Sequence, residues 1–175
     1  LYKQLYILVE GNDDERFFRE IIMPLFENDY DNIAIWQYAQ QKYKKIKKFI
    51  KSINSMEADY FLVGDLDENS CVTEKKEKIL EAFGNVSLKK IIVVIKEIES
   101  WYLAGLDQKT SSNIGIHNFE DTNDLFKEDF NELLETKYDS RIDFMQEIIK
   151  VFSIKVALEK NNSFRYFFNK FININ

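Results

Sequence analysis

Four short apolar runs constrain this chain more than any other feature. They are residues 4–9 (QLYILV), 32–36 (NIAIW), 59–64 (DYFLVG) and 90–95 (KIIVVI). Each is continuous rather than alternating, as expected of strands buried on both faces. Segment 13–27 sets Phe17, Phe18, Ile21, Ile22 and Leu25 at helical spacing, with Pro24 placed to cut or kink its end. Segment 41–54 does the same with Tyr43, Ile46, Phe49, Ile50 and Ile53, and 72–83 reads as a third helix. The order β-α-β-α-β-α-β predicts a Rossmann-like α/β fold: a four-stranded, mostly parallel sheet with helices on both faces.

From about residue 99 onward no strand is expected. ESWYLAGL reads as a short helix, 108–118 (QKTSSNIGIHN) as a polar connector, and 122–136, 140–159 and 162–172 as helices. There is no internal repeat or low-complexity tract. The expectation is one domain over 1–175, with an α/β core at 1–105 and a C-terminal helical extension at 106–175. Trp36, Trp101 and Tyr102 are expected in the core.

Composition excludes several classes. With 15 Phe and 9 Tyr against 5 Gly and 1 Pro, the chain is rich in regular structure and not disordered. No apolar run approaches the length of a membrane span. A single cysteine, Cys71, rules out an internal disulfide framework and suits a reducing compartment. The chain enters a strand almost at once, so no signal peptide is read and cytoplasmic placement is expected. One His and one Cys nearly exclude zinc. No GxxxxGK[ST] loop is present for P-loop binding of ATP. The net charge of −6 argues against a nonspecific nucleic-acid coat, yet it conceals KYKKIKKFIK at 42–51, six lysines with no acid. Lys44, Lys47, Lys48 and Lys51 share one helix face there, as a phosphate-tracking surface would; a solvated face is the plainer reading.

Acids cluster where apolar runs stop. Glu10 follows the first, with Asp14 one helical turn on; Asp65 and Asp67 follow the third; Glu97 and Glu99 follow the fourth. In an open parallel sheet the carboxyl ends of the strands share one edge, where ligands bind. A flavodoxin-like order, 2-1-3-4, would make strands 1, 3 and 4 neighbours and bring these tips together. Asp65 and Asp67, two apart on extended backbone, should project to the same side. Clustered carboxylates repel, by about 4 kcal/mol per pair at ~4 Å and an effective dielectric of 20, so they would protonate, unfold that edge or hold cations. All-oxygen ligation suits Mg²⁺, Ca²⁺ or Mn²⁺. The competing reading is local: Asp13, Asp14, Glu15, Glu97 and Glu99 would complement helix dipoles, and Asp65-Leu66-Asp67 would be a turn and cap.

Glu10-Gly11-Asn12-Asp13-Asp14, Asp65-Leu66-Asp67 and Lys96-Glu97-Ile98-Glu99, in this order and each at a strand end, resemble the TOPRIM domain of topoisomerases, bacterial primases and OLD-type nucleases. The third motif is most similar to OLD-type nucleases and small stand-alone TOPRIM-like proteins of prokaryotic defence systems. NNSFRYFFNKF is similar, more loosely, to the Ser-Phe-x-x-Phe endings of such proteins. The resemblance covers roughly 4–105. It implies a metal-dependent nuclease acting on nucleic-acid phosphodiesters, DNA rather than RNA, in host defence, with two Mg²⁺ or Mn²⁺ ions. Glu10, Asp65 and Glu97 would hold one ion, while Asp14, Asp67 and Glu99 would help with the second. Glu10, Asp65, Asp67 and Glu97 would carry catalysis, and Lys96 would either touch developing charge or point away. The chain lacks the ATPase domain usual in OLD-type nucleases, which implies a stand-alone enzyme or a subunit beside a separate ATPase. Two alternatives stay open: a TOPRIM-like module that binds metal and nucleic acid without cleaving, and a structural partner of an ATPase.

Overall fold

A computed structural model describes residues 2–134 and 138–172. The chain divides into two compact units, Leu1–Val93 and Val94–Asn175. The first is built on strands β1 (Gln4–Val9), β2 (Asn32–Gln37), β3 (Asp59–Asp65) and β4 (Ile91–Val94), the last of which ends at the unit boundary. All four run parallel in the order β2-β1-β3-β4, the expected 2-1-3-4. β1 pairs with β2 from Gln4↔Asn32 to Val9↔Gln37, and with β3 from Leu5↔Asp59 to Leu8↔Leu62.

Both sheet faces are covered. Helices α2 (Tyr43–Ser55) and α3 (Val72–Phe83) lie on one, where Ile46, Ile50, Ile53, Ile79 and Phe83 pack with Leu8, Tyr60, Leu62, Ile91 and Val93. On the other, Phe18 and Phe26 pack on Phe61 at 6.0 and 5.9 Å between ring centroids. Tyr60, Phe61 and Leu62 thus alternate between faces, as strand geometry requires. Trp36 is only half-buried and rests on Phe49. The expected 13–27 helix is α-helical only over α1 (Asn12–Phe17); it continues as a π turn at Phe18–Ile22 and a 3₁₀ turn at Met23–Phe26. Pro24, which has no N–H for an α-helical bond, sits in the tight last turn.

The second unit contains α4 (Glu99–Ala104), α5 (Gln108–Ile114), α6 (Lys127–Glu132), α7 (Arg141–Val151), α8 (Ile154–Lys160) and α9 (Asn162–Phe171). Trp101 and Tyr102 are wholly buried, as expected. Ser-Phe-x-x-Phe here is an internal brace. Ser163 Oγ accepts from Trp101 Nε1 at 2.8 Å and from the Ile95 N–H at 3.3 Å, while Phe164 and Phe167 pack on the Trp101 ring. The polar stretch 108–118 is not merely a connector, because its first half is α5. Asp107 caps that helix by accepting from Thr110 N–H, and Gly115 ends it at φ 89°. The expected 140–159 helix breaks at Phe152, and Ser153 caps α8 afresh. Only Lys127–Glu132 of the expected 122–136 helix is α-helical among the described residues; 135 and 136 lie outside them. No helix among the described residues is long and apolar enough to cross a membrane.

Candidate functional site

The first unit brings its acids together at the carboxyl ends of β1 and β3. Glu10 follows the last residue of β1, Asp65 is the last of β3, and Asp14 stands in the first turns of α1. Their common neighbour is Tyr38, just past β2, which is 5% exposed. Its hydroxyl donates to the Val63 carbonyl at 2.7 Å and lies 3.2 Å from Glu10 Oε1. Burial, and then the negative charges of Glu10, Asp14 and Asp65, push the Tyr38 pKa well above its ordinary value, so it stays a proton donor. Gly64 makes this crowding possible. A Cβ there would stand 3.0 Å from both Glu10 Oε1 and the Tyr38 hydroxyl.

Asp14 is buried, and its Oδ2 accepts the Gly11 N–H at 3.1 Å, so it also caps α1. Asp67 departs from expectation. It has left the extended backbone at φ 50°, and its carboxylate does not owe its direction to strand alternation. It turns to Lys75 instead. The Lys75 ammonium lies 2.5 Å from Asp67 Oδ2 and 3.4 Å from Glu10 Oε1, with its side chain only 11% exposed. Burial opposes the lysine charge, but the two carboxylates outweigh it and hold the Lys75 pKa above the ordinary value. Neither Lys75 nor Tyr38 was singled out by the sequence reading. Their signals were slight: a lysine in the first turns of the helix after Asp-x-Asp, and a tyrosine just beyond strand 2.

A cavity of about 720 Å³ opens beside this cluster. Glu10, Asp67 and Lys75 line its polar end, and Tyr43, Ile79 and Phe83 its apolar end. Lys44, Lys47, Lys48 and Lys51 are all exposed on α2. Cys71 is exposed and is the N-cap residue of α3. Among the described residues, no three His, Cys, Asp or Glu side chains form a ready-made metal cage.

The remaining candidates belong to the second unit. Glu97 Oε2 accepts the Lys127 N–H at 2.6 Å, at the first residue of α6. Glu99 is 3% exposed and ion-paired with Arg141. Burial raises its pKa above the ordinary carboxylate value, against the opposing pull of its own backbone N–H and Arg141. Lys96 has a left-handed backbone, φ 63°, and its ammonium sits over the Phe126 ring at 4.4 Å.

No protein-family model matches this chain, and no curated protein does. Solved structures do. The C-terminal region of the OLD protein of Xanthomonas campestris pv. campestris superposes with a TM-score of 0.51 at 15% identity, over 99% of this chain and 96% of that one. The fold is similar to that of an OLD protein C-terminal region. The corresponding region of the Burkholderia pseudomallei OLD protein gives 0.51 at 16% identity, over 97% and 98%. The likeness to both OLD C-terminal regions thus extends over nearly the whole chain.

Proposed function

We propose that the chain is a divalent-metal-dependent nuclease, with DNA as the expected substrate, working through the carboxylates of its first unit. The observation that carries this reading is the gathering of Glu10, Asp14 and Asp65 about one buried hydroxyl at the ends of two adjacent parallel strands. The donors are hard oxygens, as Mg²⁺ or Mn²⁺ requires. Lys75 between Glu10 and Asp67 marks a place that takes positive charge. Glu10, Asp65 and Asp67 would hold an ion, and Asp14 would assist a second. Glu97 and Glu99 are assigned to the same chemistry by the TOPRIM resemblance alone. A hard divalent ion, when bound, activates water and steadies charge on phosphate oxygens. The chain's own residues prepare the site: Tyr38 orients Glu10, Gly64 leaves it room, and Lys75 offsets the local negative charge.

One observation favours a second reading, a module that binds nucleic acid without cleaving it. Lys75 offsets the Glu10–Asp67 pair with a cation of the chain's own. A cleavage assay on supercoiled plasmid and single-stranded DNA, with Mg²⁺, Mn²⁺ or EDTA, separates the two. Metal-dependent nicking that disappears in a folded Asp65→Asn/Asp67→Asn variant is the expected result. Silence on every substrate would refute a nuclease that works alone and leave the binding module or a subunit that needs its separate ATPase. Separate Glu97→Gln and Glu99→Gln variants test the second unit's carboxylates.

A further inference from the structure

We propose that the cavity beside the carboxylates is a base pocket and that the substrate is single-stranded; this rests on the nuclease reading above. Tyr43 is the key residue. It opens α2, remains 63% exposed, and stands at the cavity wall with its ring edge-on to Phe83 at 5.9 Å. Phe83 in turn meets Tyr38 at 5.3 Å, and Tyr38 touches Glu10. A line of aromatic side chains therefore leads from the open rim to the reacting carboxylates.

The charges around Tyr43 suit a polyanion. Lys42, Lys44, Lys45, Lys47 and Lys48 are exposed, and no acid occurs anywhere in residues 38–56. Lys47 lies one helical turn from Tyr43 on the same side of α2. An exposed aromatic among lysines is how proteins grip single strands: bases stack on the ring while phosphates follow the cations. The cavity, about 720 Å³, has the size of small-ligand pockets and an apolar end of Tyr43, Ile79 and Phe83 for a flat ring. Lys75 at the same cavity offsets Glu10 and Asp67, so the sugar-phosphate of a seated nucleotide can lie toward the carboxylates. A base stacked within a duplex cannot present its face to Tyr43; a splayed one can.

The test is fluorescence anisotropy of the full chain in EDTA, with labelled oligothymidylate and a duplex of equal length. Working without metal keeps this result independent of the cleavage assay. The single strand should bind more tightly than the duplex. Tyr43→Ala should weaken single-strand binding by about 5- to 150-fold and leave duplex binding unchanged. Tyr43→Trp should restore it, and Lys44→Gln/Lys47→Gln should weaken both ligands and flatten the salt dependence. Equal affinity for the two ligands, a Tyr43→Ala variant indistinguishable from wild type, or no binding at all would overturn the proposal. So would displacement by free thymidine monophosphate as efficient as by the oligomer, which would make the cavity a nucleotide site. If Tyr43 behaves as expected while no DNA is ever cleaved, the base pocket stands and the nuclease falls; the reverse pattern sinks only the pocket.

Discussion

Replacing Lys75 by Met keeps most of its length and removes its charge. The ammonium lies 3.4 Å from Glu10 Oε1, and at an effective dielectric of 20 that pair is worth about 5 kcal/mol before desolvation. The closer Asp67 carboxylate is 51% exposed, so water screens it and its share is roughly 0–1 kcal/mol. The nearly buried lysine forfeits much of its own hydration, which offsets several kcal/mol of the gross attraction. A net loss of about 2 kcal/mol at neutral pH remains, to be read in urea unfolding in EDTA. Manganese then provides the decisive comparison. If the ion takes the place that Lys75 holds, Lys75→Met should bind Mn²⁺ about tenfold more tightly than wild type, a difference of about 1.4 kcal/mol. Saturating Mn²⁺, at about 100 times its dissociation constant, should add roughly 2.7 kcal/mol to the variant. Titration calorimetry and urea curves measure both. A variant as stable as wild type in EDTA, with unchanged Mn²⁺ affinity, would show that Lys75 is not the occupant of a cation site.

Three further outcomes concern the second unit. Asn161 is wholly buried, accepts from Phe164 N–H at 3.0 Å and Ser163 Oγ at 2.8 Å, and donates to Thr122 Oγ1 at 3.1 Å. Asn161→Ala should cost about 2–4 kcal/mol in thermal unfolding, combining a lost cap with unsatisfied buried groups; a loss below about 1 kcal/mol would contradict it. Gly105→Ala would drive a methyl into the Phe152 ring and should destabilise by about 1–3 kcal/mol in the same thermal unfolding, where an unchanged midpoint would contradict it. Glu99 has a raised folded-state pKa, so its favourable contribution is fully present below its ordinary value of 4.5 and is lost as pH rises through the folded value. The stability of Glu99→Gln relative to wild type should therefore climb with pH across that window, and a flat or falling difference would show that the Arg141 pair governs instead.

The sheet was legible because each of its four strands is a short, uninterrupted apolar run. The acidic tips agreed with a flavodoxin-like order, 2-1-3-4, which makes strands 1, 3 and 4 neighbours. Helix ends in the second unit were harder to read. α5 is polar except for Ile114, and its evidence lay in Asp107 and Gly115 rather than in periodicity. The site was half legible: Glu10, Asp14 and Asp65 converge because strand ends converge. Lys75 was not foreseen, because helical spacing does not tell a solvated lysine from one that folds back onto carboxylates. The direction of Asp67 escaped for a related reason. Alternation governs side chains only while the backbone stays extended, and here β3 ends at Asp65.

The left-handed backbone at Asp67 carries an evolutionary consequence. Asp, Asn and Gly adopt such a conformation at little cost, whereas most other residues strain it. At this position shape and charge are therefore separable. A lineage that gave up the chemistry could exchange Asp67 for Asn or Gly and keep the loop, the helix behind it and the sheet. Silent descendants of such a site would be well-folded proteins, recognisable by an intact turn with its acid gone.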